Sequence, residues 1–416
     1  MLVAMISMTK ALSYNILLSA CLFALMSNIV MAGYIGIEFH EQNPKEPPYK
    51  GIKIIYVSEG SAADLAGMQV NDVILALGDD AVTTTSNLSA RFIELSVGQP
   101  VHVRFWREGE TREVVLIAGE QTKSAKLYQQ ARELGINQKY QEALELTNRA
   151  VALTPDATSP HFLRAWLFSR LKQHRAVIEE ASHILSKHKL AVAYIYRADA
   201  YQLLKDFDRA ISDYDQAIRQ KPDQAQYYNS RGFCYAEKGN LDRAFFEYTR
   251  AIEVDPGFSY GYKNRADILR ERGDIEKAKQ EYHIAAKMFI KEALKYKQEG
   301  NLATAIQRYT SAINLNTPYS PSAHYNRGLT YEEMQDHQRA IQDYTKAIRL
   351  NPSSSEAYLR RGFVYAQIIK DYEKAASDWS KAASLDPRGQ NGQMARKNLK
   401  ALEKIRPVVT DEYEEW

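Results

Sequence analysis

The sequence predicts a multidomain chain: a small mixed α/β β-barrel domain followed by an all-α superhelical solenoid. Three observations predict it. Residues 33–119 alternate short β-branched runs with glycine turns. Residues 124–388 repeat a pattern of small residues at a near-constant interval. An apolar stretch within residues 1–32 precedes both. A chain of 416 residues also exceeds what one core serves well. Its formal charge of +3 gives no electrostatic reason to expect a nucleic-acid partner.

In the N-terminal element, Lys10 precedes an apolar run from Ala11 to Ala32, and Val30-Met31-Ala32 meets Gly33. Small or branched residues at the −3 and −1 positions predict a secretory signal cleaved after Ala32, with the periplasm as address. The run is about long enough to cross a bilayer, so an uncleaved anchor is the alternative. Leu18-Ser19-Ala20-Cys21 resembles a bacterial lipobox, but the apolar run continues to Met31 and argues against lipidation. Membrane association is expected only through such an uncleaved or lipidated N-terminus. Loss of Cys21 with the signal leaves Cys234 alone, read as a small buried helix residue. With no Cys/His cluster at metal-ligand spacing, neither a metal nor a cofactor is expected.

Within 33–119, strands are predicted at Gly51–Val57, Val73–Leu77, Val101–Trp106 and Glu113–Ile117, the last two joined by a turn at Glu108-Gly109-Glu110. Gly60–Met68 reads as a short helix of small residues closed by glycine, and residues 86–96 as a second helix with Leu88, Phe92 and Leu95 on one face. The order "GYIGI…GSAADLAGMQVNDVILALGDDAV…VGQPVHVRFWREGE" resembles the circularly permuted PDZ domains of bacterial envelope proteins. The resemblance implies that the loop Gly33, Tyr34, Ile35, Gly36 and Ile37 offers backbone N–H groups to a peptide carboxylate. Glycine permits the close approach this needs, and converging amides require no cationic side chain. It also implies that the adjoining strand accepts the peptide as an added strand against helix 86–96. Leu88 and Phe92 are then the apolar groove residues. Glu41–Lys50, with three prolines, is an extra loop beside that groove.

The repeats follow a short linker, Gly119–Lys123. Small residues recur at Ala131, Ala165, Ala198, Gly232, Ala266, Ala293, Gly328 and Gly362, and again at Ala143, Ala176, Ala210, Ala244, Ala278, Ala305, Ala340 and Ala375. The spacing is 33 to 35 residues at every step but one. A third series, Ala150, Ala217, Ala251, Ala285, Ala312, Ala347 and Ala382, is interrupted in the second repeat by His183. Proline closes five hairpins. This resembles the tetratricopeptide repeat family, most cleanly in "YYNSRGFCYAEKGNLDRAFFEYTRAIEVDP", and implies about eight helical hairpins. The recurrent tyrosines, among them Tyr201, Tyr214, Tyr248, Tyr309, Tyr331 and Tyr344, read as packing residues rather than a cofactor box. The exceptional step is 27 residues, and residues 274–299 lack an interior Gly or Pro, which predicts one fused helix there. Residues 389–406 form a capping helix, with Met394, Leu399, Leu402 and Ile405 over the last apolar face, and 407–416 an acidic tail.

An arginine precedes the small residue in six repeats: Arg164, Arg197, Arg231, Arg265, Arg327 and Arg361. Their second helices carry Glu179, Asp213, Glu247, Glu281, Asp343 and Asp378, and the sixth repeat reverses both signs with Glu292 and Arg308. Correlated reversal predicts an exposed salt bridge within each hairpin, worth about 0–1 kcal/mol, rather than an acidic-ligand clamp. The residues expected to face a ligand on the concave surface are Asn229, Lys263, Asn264, Asp267, Asn326 and Arg360, because lysine and asparagine on first helices clamp peptide carboxylates in some tetratricopeptide proteins.

No nucleophile elbow, HExxH motif or phosphate-binding loop occurs, and no catalytic residues are assigned. The function expected is that of a non-enzymatic exported scaffold, binding peptides or protein C-termini through the PDZ-like unit and a protein partner through the solenoid. The alternatives are a structural assembly protein, with the groove vacant or filled by the tail Asp411–Trp416, and a regulatory subunit of an envelope protease or cell-wall enzyme.

Overall fold

A computed structural model of the chain describes residues 30–32, 37–41, 51–57, 61–93, 99–117 and 123–405. The chain divides into two compact units, with the boundary between Asn240 and Leu241.

The first unit opens with an antiparallel sheet. Its strands are β1 (Val30–Ala32), β2 (Ile37–Glu41), β3 (Ile52–Val57), β4 (Val73–Leu77), β5 (Asp80–Ala81), β6 (Pro100–Arg107) and β7 (Glu110–Ile117). The spatial order is β1-β2-β3-β4-β6-β7, with β5 paired only to β4. The barrel expected from the sequence is therefore an open sheet among the described residues. Closure would need the two edges to pair, and β1 and β7 each pair with one strand only. Strand alternation buries Ile37, Phe39, Ile52, Ile54, Ile74, Val103 and Leu116 in one core.

Two helices complete that core. In α1 (Ala62–Leu65), Ser61 accepts from the Asp64 N–H, and Gly67 ends the turn at φ 77°. The second, α2 (Thr85–Ile93), contributes Leu88 and Phe92. The β6–β7 hairpin turns through two residues of positive φ, Glu108 and Gly109, which matches the right-handed twist of its strands. Arg107 then reaches back to Asp72 with two hydrogen bonds of 2.6 Å and donates to the Gly67 carbonyl at 2.8 Å. This charged clamp, with Asp72 only 1% exposed, locks the α1 turn to the hairpin.

Helical hairpins follow. In the first unit these are α3 (Lys123–Ile136) with α4 (Tyr140–Leu153), α5 (Thr158–Arg170) with α6 (His174–Lys187), and α7 (Ala191–Leu203) with α8 (Phe207–Gln220); α9 (Ala225–Glu237) ends that unit. The second unit runs from α10 (Leu241–Val254) through α11 (Ser259–Glu271), α12 (Ile275–Gln298), α13 (Leu302–Asn314), α14 (Ser320–Glu333) and α15 (His337–Leu350). It ends with α16 (Ser355–Val364), α17 (Tyr372–Leu385) and α18 (Gln390–Ile405). Close helix approach accounts for the small residues. A Cβ at Gly328 would lie 2.8 Å from Tyr344 Cε1, and one at Gly362 only 2.6 Å from Trp379 Nε1. Tyr214, Tyr248, Tyr309 and Tyr344 on second helices are buried, while Tyr201 and Tyr331 on first helices are half-buried under Arg209 and Arg339.

The stretch 274–299, expected as one fused helix, holds α12, a single helix of 24 residues from Ile275 to Gln298. In the C-terminal helix Leu399 and Leu402 meet the Trp379 cluster, and Ala395 joins them in place of Met394, which is exposed. The second repeat is displaced by one residue from the expected register. Val177 and Ile184 occupy the buried positions assigned to Ala176 and His183, which leaves His183 half-buried. The eighth repeat carries a π-helical turn, Tyr365–Ile369, closed by left-handed Lys370. A π turn takes in one extra residue, and Arg361 accordingly lies 17 residues from its partner Asp378 where other repeats use 16.

Candidate peptide-binding surfaces

The PDZ-like unit offers a strand edge. In the structure β1 lies on the edge of β2, with Val30 opposite Phe39, Met31 opposite Glu38 and Ala32 opposite Ile37. Helix α2 runs alongside both strands. Of the expected carboxylate loop, Gly33, Tyr34, Ile35 and Gly36 lie outside the described residues, as do most of the 41–50 loop and the 407–416 tail. Ile37 is fully buried at the start of β2. Leu88 and Phe92, expected to line the groove, are core residues packed with Ile37, Val103 and Leu116, and Phe92 packs on Phe39 at 6.2 Å between ring centres.

The solenoid residues fare differently. Asn229 is fully buried, so a surface role does not fit its position. Lys263, Asn264 and Asp267 come together on α11: Lys263 pairs with Asp267 at 2.7 Å and contacts Asn264 Oδ1 at 3.3 Å. Tyr282 donates to Asp267 at 2.6 Å. Burial works against the Asp267 charge, but Lys263, Tyr282 and Arg270 outweigh it and hold its carboxyl below the usual range. Asn326 donates to the Ser322 carbonyl on its own helix, and exposed Arg360 lies 3.9 Å from Glu332.

The arginine row forms ion pairs inside each unit. Arg197 pairs with Asp213, Arg265 with Glu281, Arg327 with Asp343 and Arg361 with Asp378, at 2.6 to 2.7 Å. Glu292 and Arg308 make the reversed pair at 3.0 Å. The one-residue displacement gives Arg164 to Glu180 instead of Glu179. Arg231 and Glu247 fall in different units, and Arg231 pairs with Asp215 in its own. These pairs are not exposed, as expected, but largely buried: Asp213, Asp343 and Asp378 are each 4% exposed.

Two clusters escaped sequence reasoning. In the second repeat His161 bonds Glu180 at 2.7 Å and stacks on His183 with ring centres 4.2 Å apart, and both rings reach the Pro155 carbonyl. Burial and the neighbouring His161 push the His183 pKa down. No group of three His, Cys, Asp or Glu among the described residues could hold a metal ion. In the third repeat the Tyr214 hydroxyl donates to buried Asp199 at 2.5 Å and lies 2.9 Å from the Gln202 amide oxygen. Burial raises the Asp199 carboxyl to about 7. The signal was present: Asp199 and Asp267 each follow a small first-helix residue and meet a tyrosine 15 positions on. Cys234 is buried beside Gln202, and burial raises its thiol pKa.

Comparison with known proteins agrees with this architecture. A PDZ domain model matches residues 33–117. Tetratricopeptide repeat models match 197–257, 247–280 and 321–354, and a TPR repeat model matches 293–335. A DnaJ homolog subfamily C member 3 homolog from Dictyostelium discoideum is 30% identical over 104 residues, 24% of this chain and 21% of that protein. The match thus spans about a fifth of that relative's length. Among solved structures, MamA aligns with 39% of this chain and 96% of its own at 18% identity and a TM-score of 0.37. A tetratricopeptide repeat protein from Parabacteroides merdae aligns with 67% of this chain and 97% of its own, at 18% identity and 0.38. Both kinds of module bind proteins or peptides, which supports a protein-interaction scaffold. The chain carries a PDZ domain followed by an array of tetratricopeptide repeats.

Proposed function

We propose that the chain is an exported, non-enzymatic adaptor. Its PDZ unit captures the C-terminus or an extended segment of one protein, and its repeats hold a second. The observation that carries this reading is the edge of β2, whose backbone accepts an added antiparallel strand beside α2. A strand edge presents N–H and C=O groups that only another backbone satisfies in register, so it favours extended peptides over folded surfaces. Two weak sites on one chain raise the affinity for a partner pair through effective concentration.

The test is binding of a random C-terminal peptide library to the chain beginning at Gly33, with peptide amides as controls. Selective binding of free carboxylates, lost in Gly36→Trp, is the expected outcome. Absence of any peptide binding would move the function to the repeats alone.

A further inference from the structure

The edge of β2 that the adaptor reading assigns to a ligand is already covered by the chain itself. Val30–Ala32 pairs antiparallel with β2 from Phe39 back to Ile37, and it forms the end of the sheet. It also lies against α2, so it sits between the strand and the helix that together bound the groove. Its direction is that of a peptide whose C-terminal residue, Ala32, meets the first residue of β2. With β1 there, Ile37, Phe39, Leu88 and Phe92 are each at most 1% exposed.

We infer that Val30–Ala32 is a built-in occupant of the PDZ groove, and that once it is removed the groove takes a C-terminal segment of the same chemistry. That segment is extended, uncharged and apolar, and ends in a small residue. The inference rests on the adaptor reading and names its ligand class. The energetic argument is one of tethering. Only residues 33–36 separate Ala32 from Ile37, so the segment sees its site at an effective concentration of roughly millimolar. A segment that binds as a free peptide with a Kd near 100 μM would then fill the groove about nine-tenths of the time.

The expected processing point adds a consequence. Hydrolysis of the Ala32–Gly33 amide by a signal peptidase adds water across that bond, leaving a carboxylate on Ala32 and an amine on Gly33. The tether is then cut, and the segment competes as an ordinary free peptide. The precursor carries a closed groove and the processed chain an open one.

The probe is a fluorescein-labelled peptide of residues 27–32, Ser-Asn-Ile-Val-Met-Ala, with a free carboxylate. Its binding is measured by anisotropy to the full chain, made without processing, and to the chain from Gly33, both in the same detergent. The probe should bind the Gly33 chain and bind the full chain at least about tenfold more weakly. Replacing both Val30→Asp and Met31→Asp in the full chain should recover binding, because neighbouring strand residues face opposite sides and one of the two carboxylates meets the apolar groove whichever face it takes. Deuterium exchange at Ile37–Glu41 should be slower in the full chain than in the Gly33 chain. Equal binding or equal exchange in the two chains overturns the inference. If the Gly33 chain binds other free-carboxylate peptides but not this one, the inference falls and the adaptor reading stands. If it keeps its circular dichroism spectrum and binds none, both fall.

Discussion

The third and fifth repeats hold the same pair of residues and shift the aspartate pKa in opposite directions. In each, an aspartate follows the small residue of the first helix and accepts from a second-helix tyrosine: Asp199 from Tyr214 and Asp267 from Tyr282. Burial raises Asp199 to about 7, and the cations Lys263 and Arg270 hold Asp267 below the usual carboxylate range. One repeat position thus yields a carboxyl that keeps its proton up to about pH 7 or one that ionises below the usual range. The neighbours on the same helix decide which, because burial without a counter-charge disfavours the ion and a partner at contact distance restores it.

The comparison extends to the ion-pair row, where the largest effect is expected. Asp343 holds Arg327 through two hydrogen bonds and His324 through a third, with only 4% of it exposed. Asp343→Ala strands a largely buried arginine and should cost about 3–5 kcal/mol in urea denaturation, while leaving peptide binding at β2 unchanged. A cost within the surface range of about 1 kcal/mol would sink the structural reading of the row.

Asp199 comes next. Its folded pKa lies above the unfolded value, so the native state holds the proton more tightly between about pH 4 and 7. The stability it contributes is present at the acid end, is lost as pH rises through that interval, and levels off above it. Relative to Asp199→Asn, the wild type should lose about 2 kcal/mol between pH 5 and 7. A flat difference between the two proteins across that range would refute the assignment.

Asp267→Asn should give the smallest effect, with the opposite sign. The Asp267 pKa is depressed, so its contribution is present above the usual carboxylate range and is lost as pH falls through and below it. The same slope for Asp199 and Asp267 would mean that the cations on α11 do not set the difference.

Much of this molecule was legible because repeat proteins write their contacts locally. Each hairpin, the fused α12 and the capping helix follow from residue spacing, and the correlated reversal at Glu292 and Arg308 points to the ion pairs in the sequence itself. Misreadings arose where one residue of register was at stake. Val177, Glu180 and Ile184 replaced their immediate predecessors in the second repeat, because α6 carries Val177 and Ile184 where alanine marks the buried face elsewhere and sets Ala176 one residue off that face. Surface assignments were weakest: Asn229 looks like any polar helix residue in sequence, yet it is fully buried.

By itself, then, the sequence determined the two kinds of module, their order and the helical period, since each rests on patterns within about 35 residues of chain. Tertiary structure alone decided the strand order among the described residues, the opposite pKa shifts of Asp199 and Asp267, and the placement of Val30–Ala32 on β2. Those depend on which groups meet across space. Strand pairing and counter-charge placement are non-local, and neither leaves a periodic trace in the chain.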